Sequence, residues 1–422
     1  MNDFVYNGTD LYCEGVPVET IAAQVGTPLY IYSGATLERH FSAFDQSFGA
    51  VPHLTCYSVK ACSNIALLRL FSRLGAGVDV VSGGEIFRAV KAGVPADRIV
   101  YSGVGKTQSE IQYALECDIL QFNVESAQEL ELISRAATAS GRRARIAFRI
   151  NPDVDPKTHP YISTGLKKNK FGIAKESALA EYKKAAALPG IEVTGIACHI
   201  GSQITEVSPF IDALRRVKEF VKALENEGIR IRQIDLGGGL GIVYKDEAPP
   251  SPSAYAEAVI AEMKGLDCRL LLEPGRVIVG NSGALVARVL YTKKSEAKNF
   301  VIVDAGMNDL VRPSLYDAYH EIRPVRRTGA SVITADIVGP ICESGDFLAR
   351  GREVPDFRQG DLIAAMSAGA YGFSMSSNYN SRPRVAEVLV RGNSFDVIRR
   401  RETPEDLVRL EAIPEYLQQE RD

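Results

Sequence analysis

The sequence has no apolar stretch long enough to cross a membrane and no excess of basic residues. It has 49 Lys and Arg against 52 Asp and Glu in 422 residues, a formal net charge of −3. This balance gives no broad positive field for nucleic acid or an anionic membrane surface. The first residues, Met1 to Tyr6, also lack the basic region and apolar run of a secretion signal. We therefore expect a cytoplasmic protein that acts on a small molecule.

The sequence also has no closely spaced pair of cysteines. The seven cysteines show no C-x-x-C spacing of the kind that suggests zinc or redox chemistry; they are Cys13, Cys56, Cys62, Cys117, Cys198, Cys268 and Cys342. We expect no metal site and mostly free thiols in the core. Hydrophobic residues at 45 % and charged residues at 24 % lie near the globular average, which argues against disorder, fibrous structure or a coiled coil.

Short β-branched runs alternate with amphipathic helical segments in the first part of the chain. Eight strands are predicted: His53 to Tyr57, Val78 to Val81, Arg98 to Ser102, Ile119 to Val124, Ala144 to Ile150, Gly195 to Ile200, Arg232 to Leu236 and Arg269 to Glu273. Helices are predicted between them, three with capping boxes that begin at Ser82, Thr107 and Ser126. Eight such units over roughly 250 residues favour a (β/α)₈ barrel, although a doubly wound sheet would give the same alternation.

The alternation of strand and helix patterns ends at about residue 280. Short apolar runs with few helical stretches follow, at Leu285 to Leu290, Phe300 to Val303, Leu362 to Met366 and Val385 to Val390. They predict a second, mainly antiparallel β domain. The segment Leu29 to Tyr32 also looks like a strand, and we expect it to join that sheet. The predicted domains are therefore a barrel over 36–280 and a β domain over 1–35 and 281–422.

Polar residues follow several of the predicted barrel strands at the end where barrel active sites are built. They are Lys60 after the first strand, His199-Ile200-Gly201-Ser202 at the sixth, Gly237-Gly238-Gly239-Leu240-Gly241 after the seventh and Glu273-Pro274-Gly275-Arg276 at the eighth. Most lysines are solvated surface charges. A lysine at this position is expected to be partly desolvated, and because burial lowers its pKa it would suit imine chemistry.

Two glycine-rich segments raise the question of nucleotide binding. The triple glycine does not satisfy G-x-G-x-x-G, because Ile242 stands where the last glycine should be. Two interpretations of the triple glycine stay open, a phosphate-binding loop and a tight turn. The segment Gly103 to Thr107 ends like a P-loop, but Val100 occupies the first glycine position. It is predicted to be a turn between strand and helix, with Thr107 as the helix cap.

Glu273 ends the buried-type run Leu270 to Leu272. A carboxylate in such a place costs several kcal/mol unless it is paired, so we expect a cationic partner. Arg276 could be that partner in a purely structural role. Alternatively, Glu273 faces a heterocyclic nitrogen while Arg276 binds an anion.

Six segments in one order resemble the barrel-type pyridoxal-phosphate-dependent decarboxylases, and most closely the diaminopimelate decarboxylases among them. They are Tyr57-Ser58-Val59-Lys60-Ala61, His199 to Ser202, the triple glycine, Glu273 to Arg276, Cys342-Glu343-Ser344-Gly345-Asp346 and Gly369-Ala370-Tyr371-Gly372. The stretch Arg312-Pro313-Ser314-Leu315-Tyr316 is also similar to the diaminopimelate enzymes rather than to their ornithine or arginine relatives. The resemblance covers essentially the whole chain.

The resemblance implies a set of cofactor contacts. Lys60 would carry pyridoxal 5'-phosphate as an imine, His199 would stack on its ring, and Glu273 would face the ring nitrogen. The phosphate would lie among Ser202, Gly238, Gly239 and the turn Glu273-Pro274-Gly275-Arg276. Tyr371 would contact both cofactor and substrate.

The resemblance also implies the substrate, meso-2,6-diaminoheptanedioate, which would be converted to L-lysine and carbon dioxide as the last step of lysine biosynthesis. Its distal carboxylate and ammonium would be bound by Arg276, Arg312, Tyr316 and Glu343. Tyr371 would also belong to the substrate-binding residues. Cys342 would supply the proton that replaces carbon dioxide. In relatives its loop reaches the site from a second subunit, which implies a homodimer with shared sites.

Two alternatives stay open. The chain could be a related decarboxylase for carboxynorspermidine, D-ornithine or arginine, with an alanine racemase more remote. It could also be a catalytically silent pyridoxal-phosphate-binding regulatory homologue, although Lys60, Glu273 and Cys342 argue against that.

Overall fold

A computed structural model describes residues 2–155, 170–296 and 298–418. The chain divides into two compact units. The first contains Ala35–Ser282 and Gly369–Ser374, and the second contains Asn2–Gly34, Gly283–Ala368 and Met375–Asp422. The short segment Gly369–Ser374 therefore belongs to the first unit, although it follows most strands of the second unit in sequence.

The first unit is a closed barrel of eight parallel strands. Barrel strands 1 to 8 are His53–Ser58, Gly77–Val80, Ile99–Tyr101, Gln121–Val124, Ala144–Asn151, Ile191–Ala197, Gln233–Asp235 and Arg269–Leu272. Each strand pairs in parallel with the next, and strand 8 pairs with strand 1, with Leu270 opposite His53 and Leu272 opposite Thr55. This closure confirms the predicted barrel and excludes a doubly wound sheet, which has two open edges. A short additional strand, Ile173–Ala174, pairs with strand 5.

Barrel strand 6 is longer than its sequence pattern predicts. It begins at Ile191 rather than Gly195, and its pairing with strand 5 shifts register between Val193 and Gly195. The shift breaks the regular alternation by which strands are recognised. The strand ends at Ala197, so His199 lies in the loop that follows it.

Helices lie between the barrel strands in sequence. They are Ile65–Arg73, Gly83–Lys91, Gln108–Cys117, Ala127–Ala139, Lys175–Ala187, Ser208–Asn226 and Pro252–Met263. The helix Gly34–Ser47 precedes strand 1, and the short helix Arg276–Val279 follows strand 8. The three predicted N-caps are confirmed, since Ser82, Thr107 and Ser126 each accept an N–H from three residues ahead. Only the cap at Thr107 is a complete capping box. In the other two helices the glutamate accepts the N–H of the residue before the cap.

The second unit is built on a mixed, mainly antiparallel sheet whose centre is the long strand Gly283–Lys294. This strand pairs antiparallel with Leu29–Ser33, Asn299–Val303 and Leu362–Ala365. The remaining strands of the sheet are Ile322–Pro324, Val332–Val338, Phe347–Pro355, Ala386–Arg391 and Ser394–Arg399. Two pairings are parallel, that of Leu29–Ser33 with Ala386–Arg391 and that of Asn299–Val303 with Val332–Val338. The mainly antiparallel β domain is therefore confirmed.

Smaller elements complete the second unit. A three-stranded sheet is formed by Phe4–Asn7, Asp10–Cys13 and Val16–Pro17. The helices are Val18–Val25, Arg312–Tyr316, Pro404–Val408 and Glu415–Gln418. Over the described part of the chain, no helix is both long and apolar enough to pass through a membrane.

Lys106, the lysine of the P-loop-like segment, is engaged within the fold. Its Nζ donates to the carbonyl oxygens of Gly103 and Asn123, both at 2.8 Å, and to Glu129 Oε1 at 2.7 Å. The side chains of Lys106 and Glu129 are only 1 % and 7 % exposed. The segment is therefore a strand-to-helix turn held by a buried ion pair.

Removal of Lys106 is expected to destabilise the barrel strongly. Lys106→Ala leaves the Glu129 carboxylate buried without its counter-ion, which should lower the free energy of unfolding by about 3–5 kcal/mol. The matched control is Lys184→Ala, which breaks an exposed pair with Glu131 and should have little effect. Urea unfolding followed by circular dichroism measures both changes. Equal effects of the two substitutions would contradict a stabilising role for the buried pair.

Candidate active site

Lys60 lies at the mouth of the barrel in the single turn Val59–Ala61 that follows strand 1. The residues on either side of it are buried, so the turn is anchored and its lysine has a defined direction. Lys60 Nζ donates to Asp79 Oδ2 on strand 2 at 2.6 Å. The Asp79 side chain is fully buried, whereas that of Lys60 is 36 % exposed. The amine is therefore held by a buried carboxylate and remains accessible.

The expected lowering of the Lys60 pKa is wrong. Burial does favour the neutral amine, but the hydrogen-bonded Asp79 outweighs it and raises the pKa of Lys60 above its ordinary value. An opposite charge within hydrogen-bond distance favours the charged form of a lysine more than partial desolvation disfavours it. Lys60 is therefore an ammonium in this form of the chain.

Glu273 follows strand 8 and is buried. Its carboxyl contacts are long, with Ser102 Oγ at 3.4 Å and Asn123 Nδ2 at 3.5 Å from Oε1, and Asp235 lines the same cavity. Burial, together with Asp235 and Asp79, raises the pKa of Glu273 well above its usual range. The expected cationic partner is therefore replaced by a proton, and Arg276 makes other contacts.

Arg276 is buried beside polar and aromatic partners. Its Nη1 donates to the Tyr244 hydroxyl at 2.7 Å, and its Nη2 donates to Ser202 Oγ at 3.0 Å. The guanidinium also lies over the ring of Tyr371, 4.9 Å from its centroid. Ser202, Arg276 and Tyr371, three residues picked from the sequence, are thus gathered at one place. Tyr244 is a partner that no sequence motif had indicated.

His199 is held by the glycine loop that follows strand 7. Its Nδ1 accepts the N–H of Gly238 at 3.2 Å, which leaves Nε2 as the protonated ring nitrogen. Burial, with Arg149 and Lys60 nearby, lowers the pKa of His199 well below its ordinary value. The imidazole is therefore neutral, and it presents a flat, uncharged ring to the cavity.

The glycine loop approaches neighbouring backbone too closely for any larger residue. A Cβ at Gly238 would lie 2.1 Å from the carbonyl oxygen of Glu273. At Gly239, where φ is +122°, a Cβ would lie 2.5 Å from the carbonyl oxygen of Gly201. The loop therefore packs directly against the segments that carry Glu273 and Ser202. A phosphate cradle and a tight turn both agree with this packing.

The Glu273-Pro274-Gly275 segment is tied to the end of strand 1. Ser58 N–H donates to the Pro274 carbonyl at 3.0 Å, and Ser58 Oγ donates to the Glu273 carbonyl at 2.9 Å. A Cβ at Gly275 would come within 3.1 Å of Ser58 Cβ and Ala61 Cβ. The turn after strand 8 therefore packs against the Lys60 turn.

Tyr371 reaches the same turn. Its N–H donates to the Ala61 carbonyl at 2.7 Å, and its φ of +56° is unusual for a residue with a side chain. Strained backbone of this kind is retained where surrounding contacts over-determine it, commonly at functional sites. Tyr371 is therefore held next to Lys60 and Arg276.

The cavity at the barrel mouth collects side chains from several strand ends. Its lining includes Lys60, Val81, Ser102, Gly103, Asn123, Arg149, Phe171, Ala197, Cys198, His199, Asp235 and Glu273. Sequence reasoning had selected Lys60, His199 and Glu273 but not Asp79, Asn123, Arg149 or Asp235. Asp79 is a polar residue between Val78 and Val80 in an otherwise apolar strand. That interruption was the available signal.

The second unit gathers another group of the selected residues. Arg312 is buried and its Nη1 donates to His320 Nε2 at 2.9 Å, while His320 Nδ1 donates to the Met366 carbonyl at 2.8 Å. Ser314 Oγ donates to the Gly345 carbonyl at 2.6 Å. This bond links the short Arg312–Tyr316 helix, whose Tyr316 is half-buried, to the Cys342 loop.

The Cys342 loop is exposed but braced. Cys342 and Glu343 are both exposed; the Cys342 N–H donates to Asn380 Oδ1 at 2.9 Å, and the Tyr379 hydroxyl donates to Glu343 Oε2 at 2.9 Å. Asn380 has a φ of +56°. Asn380 and Tyr379 had not been selected from the sequence, because their role depends on a loop 38 and 36 residues away.

A methyl group at Gly238 is expected to displace the loop. Because Gly238→Ala places a Cβ against the Glu273 carbonyl, it should destabilise the barrel by about 1–3 kcal/mol, as overpacking does. Gly105→Ala is the matched control, since a Cβ there meets no atom within 4 Å. Urea unfolding measures both effects. A Gly238→Ala protein as stable as the Gly105→Ala protein would show that the loop is not tightly packed.

Comparison with known proteins identifies the family of the chain. Residues 34–280 match the family model described as "Pyridoxal-dependent decarboxylase, pyridoxal binding domain". The chain is 52 % identical over 414 residues to a diaminopimelate decarboxylase of Haemophilus influenzae, covering 98 % of this chain and 100 % of that protein.

Solved structures are equally similar. The diaminopimelate decarboxylase of Helicobacter pylori complexed with L-lysine has a TM-score of 0.90 and 45 % identity, covering 93 % of this chain and 98 % of that one. The enzyme of M. jannaschii in co-complex with L-lysine has a TM-score of 0.94 and 40 % identity, covering 99 % and 100 %. The chain therefore belongs to the pyridoxal-dependent decarboxylases, in the branch that contains the diaminopimelate decarboxylases.

Proposed function

We propose that this protein decarboxylates meso-2,6-diaminoheptanedioate to L-lysine and carbon dioxide, with pyridoxal 5'-phosphate as its cofactor. The observation that carries the proposal is the barrel cavity, in which Lys60 lies together with Glu273 and His199. The full-length similarity to diaminopimelate decarboxylases, two of them solved with L-lysine, supports the choice of substrate.

The residues present fit the cofactor. Lys60 offers an accessible amine, His199 a flat neutral ring and Glu273 a buried carboxyl group, which are the groups that an aldehyde, an aromatic ring and a ring nitrogen require. Ser202, Arg276 and the loop of Gly238 and Gly239 would hold the phosphate, with the Glu273-Pro274-Gly275-Arg276 turn beside them. When bound, pyridoxal phosphate draws electrons away from the carbon that loses carbon dioxide.

Lys60 would hold the cofactor covalently and give it up to the substrate amine. Because its pKa is raised, the free Lys60 amine carries a proton that it must lose before it can act as a nucleophile. Asp79 Oδ2, 2.6 Å away, would hold the Lys60 ammonium before the cofactor binds and again after the substrate amine has displaced it. Asp79 therefore orients Lys60 in both states.

The substrate has a second amino acid head far from the bond that breaks. A buried guanidinium fork suits its distal carboxylate, and Arg312 and Arg276 are such groups, while Glu343 suits its distal ammonium. We assign Tyr316 and Tyr371 to the same substrate pocket. Relatives that act on substrates without the distal carboxylate would have less use for two arginines.

We assign the proton that replaces carbon dioxide to the Cys342 thiol. The loop that carries it is exposed in the single chain and is braced by Asn380 and Tyr379. An exposed, braced loop that carries a thiol suits a shared site, and we propose a homodimer in which this loop completes the partner's site. The seven cysteines are free, the usual state in a reducing compartment, which supports a cytoplasmic location.

The reaction is tested by product analysis. The purified protein with pyridoxal phosphate is expected to release L-lysine and carbon dioxide in equal amounts from meso-2,6-diaminoheptanedioate. Lys60→Ala should abolish turnover and the visible absorbance of lysine-bound cofactor, because no other cavity-lining residue that the structure describes is a lysine. Lys184→Ala, a surface lysine on a barrel helix, is the matched control and should keep both.

Two outcomes would overturn the proposal. Decarboxylation of carboxynorspermidine, D-ornithine or arginine in place of meso-2,6-diaminoheptanedioate would overturn the substrate. Cofactor binding without turnover of any of these amino acids would indicate a silent homologue.

Shared sites predict that two inactive chains can complement one another. Lys60→Ala and Cys342→Ala chains, co-expressed with different tags and purified through both tags, should regain about half of the wild-type turnover per dimer, because one of two composite sites is intact. Each variant purified alone is the control. Mixed dimers with no regained activity would exclude shared sites, and failure to recover any doubly tagged protein would exclude the dimer.

A further inference from the structure

Three carboxyl groups converge at the mouth of the barrel. Asp79 on strand 2, Asp235 on strand 7 and Glu273 after strand 8 are 0 %, 1 % and 7 % exposed. Among the described residues that line the cavity, Lys60 and Arg149 are the cationic ones, and Arg149 is paired with Glu125 at 3.1 Å. One ammonium group therefore faces three buried acids, and they cannot all be ionised at low cost.

Hydrogen-bond donors are distributed unequally among the three acids. Asp79 receives Lys60 Nζ at 2.6 Å and Ser58 Oγ at 3.1 Å. Asp235 receives the Gly237 N–H at 2.9 Å and Asn123 Nδ2 at 2.8 Å. Glu273 receives only the two long contacts at 3.4 and 3.5 Å. Glu273 is therefore the acid that is least able to stay ionised.

Asn123 joins two of these acids. Its Nδ2 lies 2.8 Å from Asp235 Oδ2 and 3.5 Å from Glu273 Oε1, so the two carboxyl groups are neighbours at one amide, and both line the cavity. A hydrogen bond between two carboxyl groups needs a proton on one of them. Burial raises the pKa of Asp235 to about 6, whereas burial and Asp235 raise that of Glu273 much further.

The other titratable groups near the pair do not change the order of the Asp235 and Glu273 pKa values. Lys60 lowers the pKa of Glu273, but Asp79 raises it. Burial keeps His199 neutral and raises the pKa values of the remaining titratable neighbours, Cys56, Cys198 and Tyr255, so that they stay uncharged.

We infer that Asp235 is the proton partner of Glu273: the two carboxyl groups share one proton, carried on Glu273 and donated to Asp235, while the cofactor is absent. The inference rests on the proposed role of Glu273 toward the ring nitrogen. Asp235 is a positioning residue, because it acts through Glu273.

The pair supplies a proton where the cofactor needs one. If a ring nitrogen binds beside Glu273, the Glu273 O–H bond would break as an N–H bond forms, and the negative charge would remain on Glu273 facing the protonated ring. The proton would then come from the site itself rather than from solvent. The negative charge of Asp235 favours the protonated form of Glu273. The proton is therefore already in the site before the cofactor binds.

The test reads the Glu273 carboxyl directly in the full chain freed of cofactor. An infrared difference spectrum between wild type and Glu273→Gln at neutral pH should show the loss of a protonated carboxyl band. Loss of an ionised carboxylate band instead would overturn the inference. A protonated band that disappears in Asp235→Asn and persists in Glu273→Gln would place the proton on Asp235 and would also overturn it.

A pH titration of the same band tests the partner. Because Glu273 has a raised pKa, its protonated band should persist through neutral pH and be lost as the pH rises. In Asp235→Asn the midpoint of that loss should fall by about one pH unit or more, since a like charge has been removed. Asp267→Asn removes the same charge from a carboxyl that is 96 % exposed and should leave the midpoint unchanged.

An unchanged midpoint in Asp235→Asn would exclude Asp235 as the partner. The wild-type and Glu273→Gln comparison decides the site of the proton even if Asp235→Asn does not fold. These measurements read a carboxyl group without cofactor or substrate, whereas the proposed function is judged by lysine release, so either can fail alone.

Discussion

The pairing of barrel strand 8 with strand 1 is the contact on which the rest of the site depends. It closes the barrel and brings the turn after the last strand against the turn after the first. Ser58 serves both sides of this junction, because its hydroxyl contacts the Glu273 carbonyl and the Asp79 carboxylate. Lys60 and Glu273 are 213 positions apart in the numbering, and this closure makes them line one cavity.

Charge balance is the second constraint. Three buried acids cannot all be ionised at low cost beside the cations described in the cavity, Lys60 and Arg149, of which Arg149 is paired with Glu125. Burial lowers the pKa of His199 and raises that of Glu273. Desolvation thus favours the neutral form of both groups that would face a cofactor ring, while Lys60 stays in direct contact with Asp79.

Much of the fold could be predicted because its signals are local. The alternation of apolar runs and capped helices predicted eight barrel strands, and all eight are present within a few residues of their expected bounds. The largest difference is at strand 6, which begins four residues before its predicted start and contains a register shift. Val332–Val338 and Phe347–Pro355 were not predicted. Each is buried over only part of its length, so neither shows a continuous apolar run.

Sequence by itself determined the eight alternating strands, the second β unit and the selection of Lys60, His199, Glu273 and Arg276, because strand periodicity, helix caps and strand-end position are local properties. Closure of those strands into a barrel was decided by the pairing of strand 8 with strand 1. Only the tertiary structure decided the partners of these residues. Asp79 lies beside Lys60 because strand 2 pairs with strand 1, and Asp235 lies near Glu273 because strand 7 pairs with strand 8. Tyr244 meets Arg276 through the segments that follow strands 7 and 8. The Lys60 pKa moved opposite to expectation because of Asp79. A charge state depends on which groups lie within a few ångströms and how much water they lose, and neither can be read along the chain.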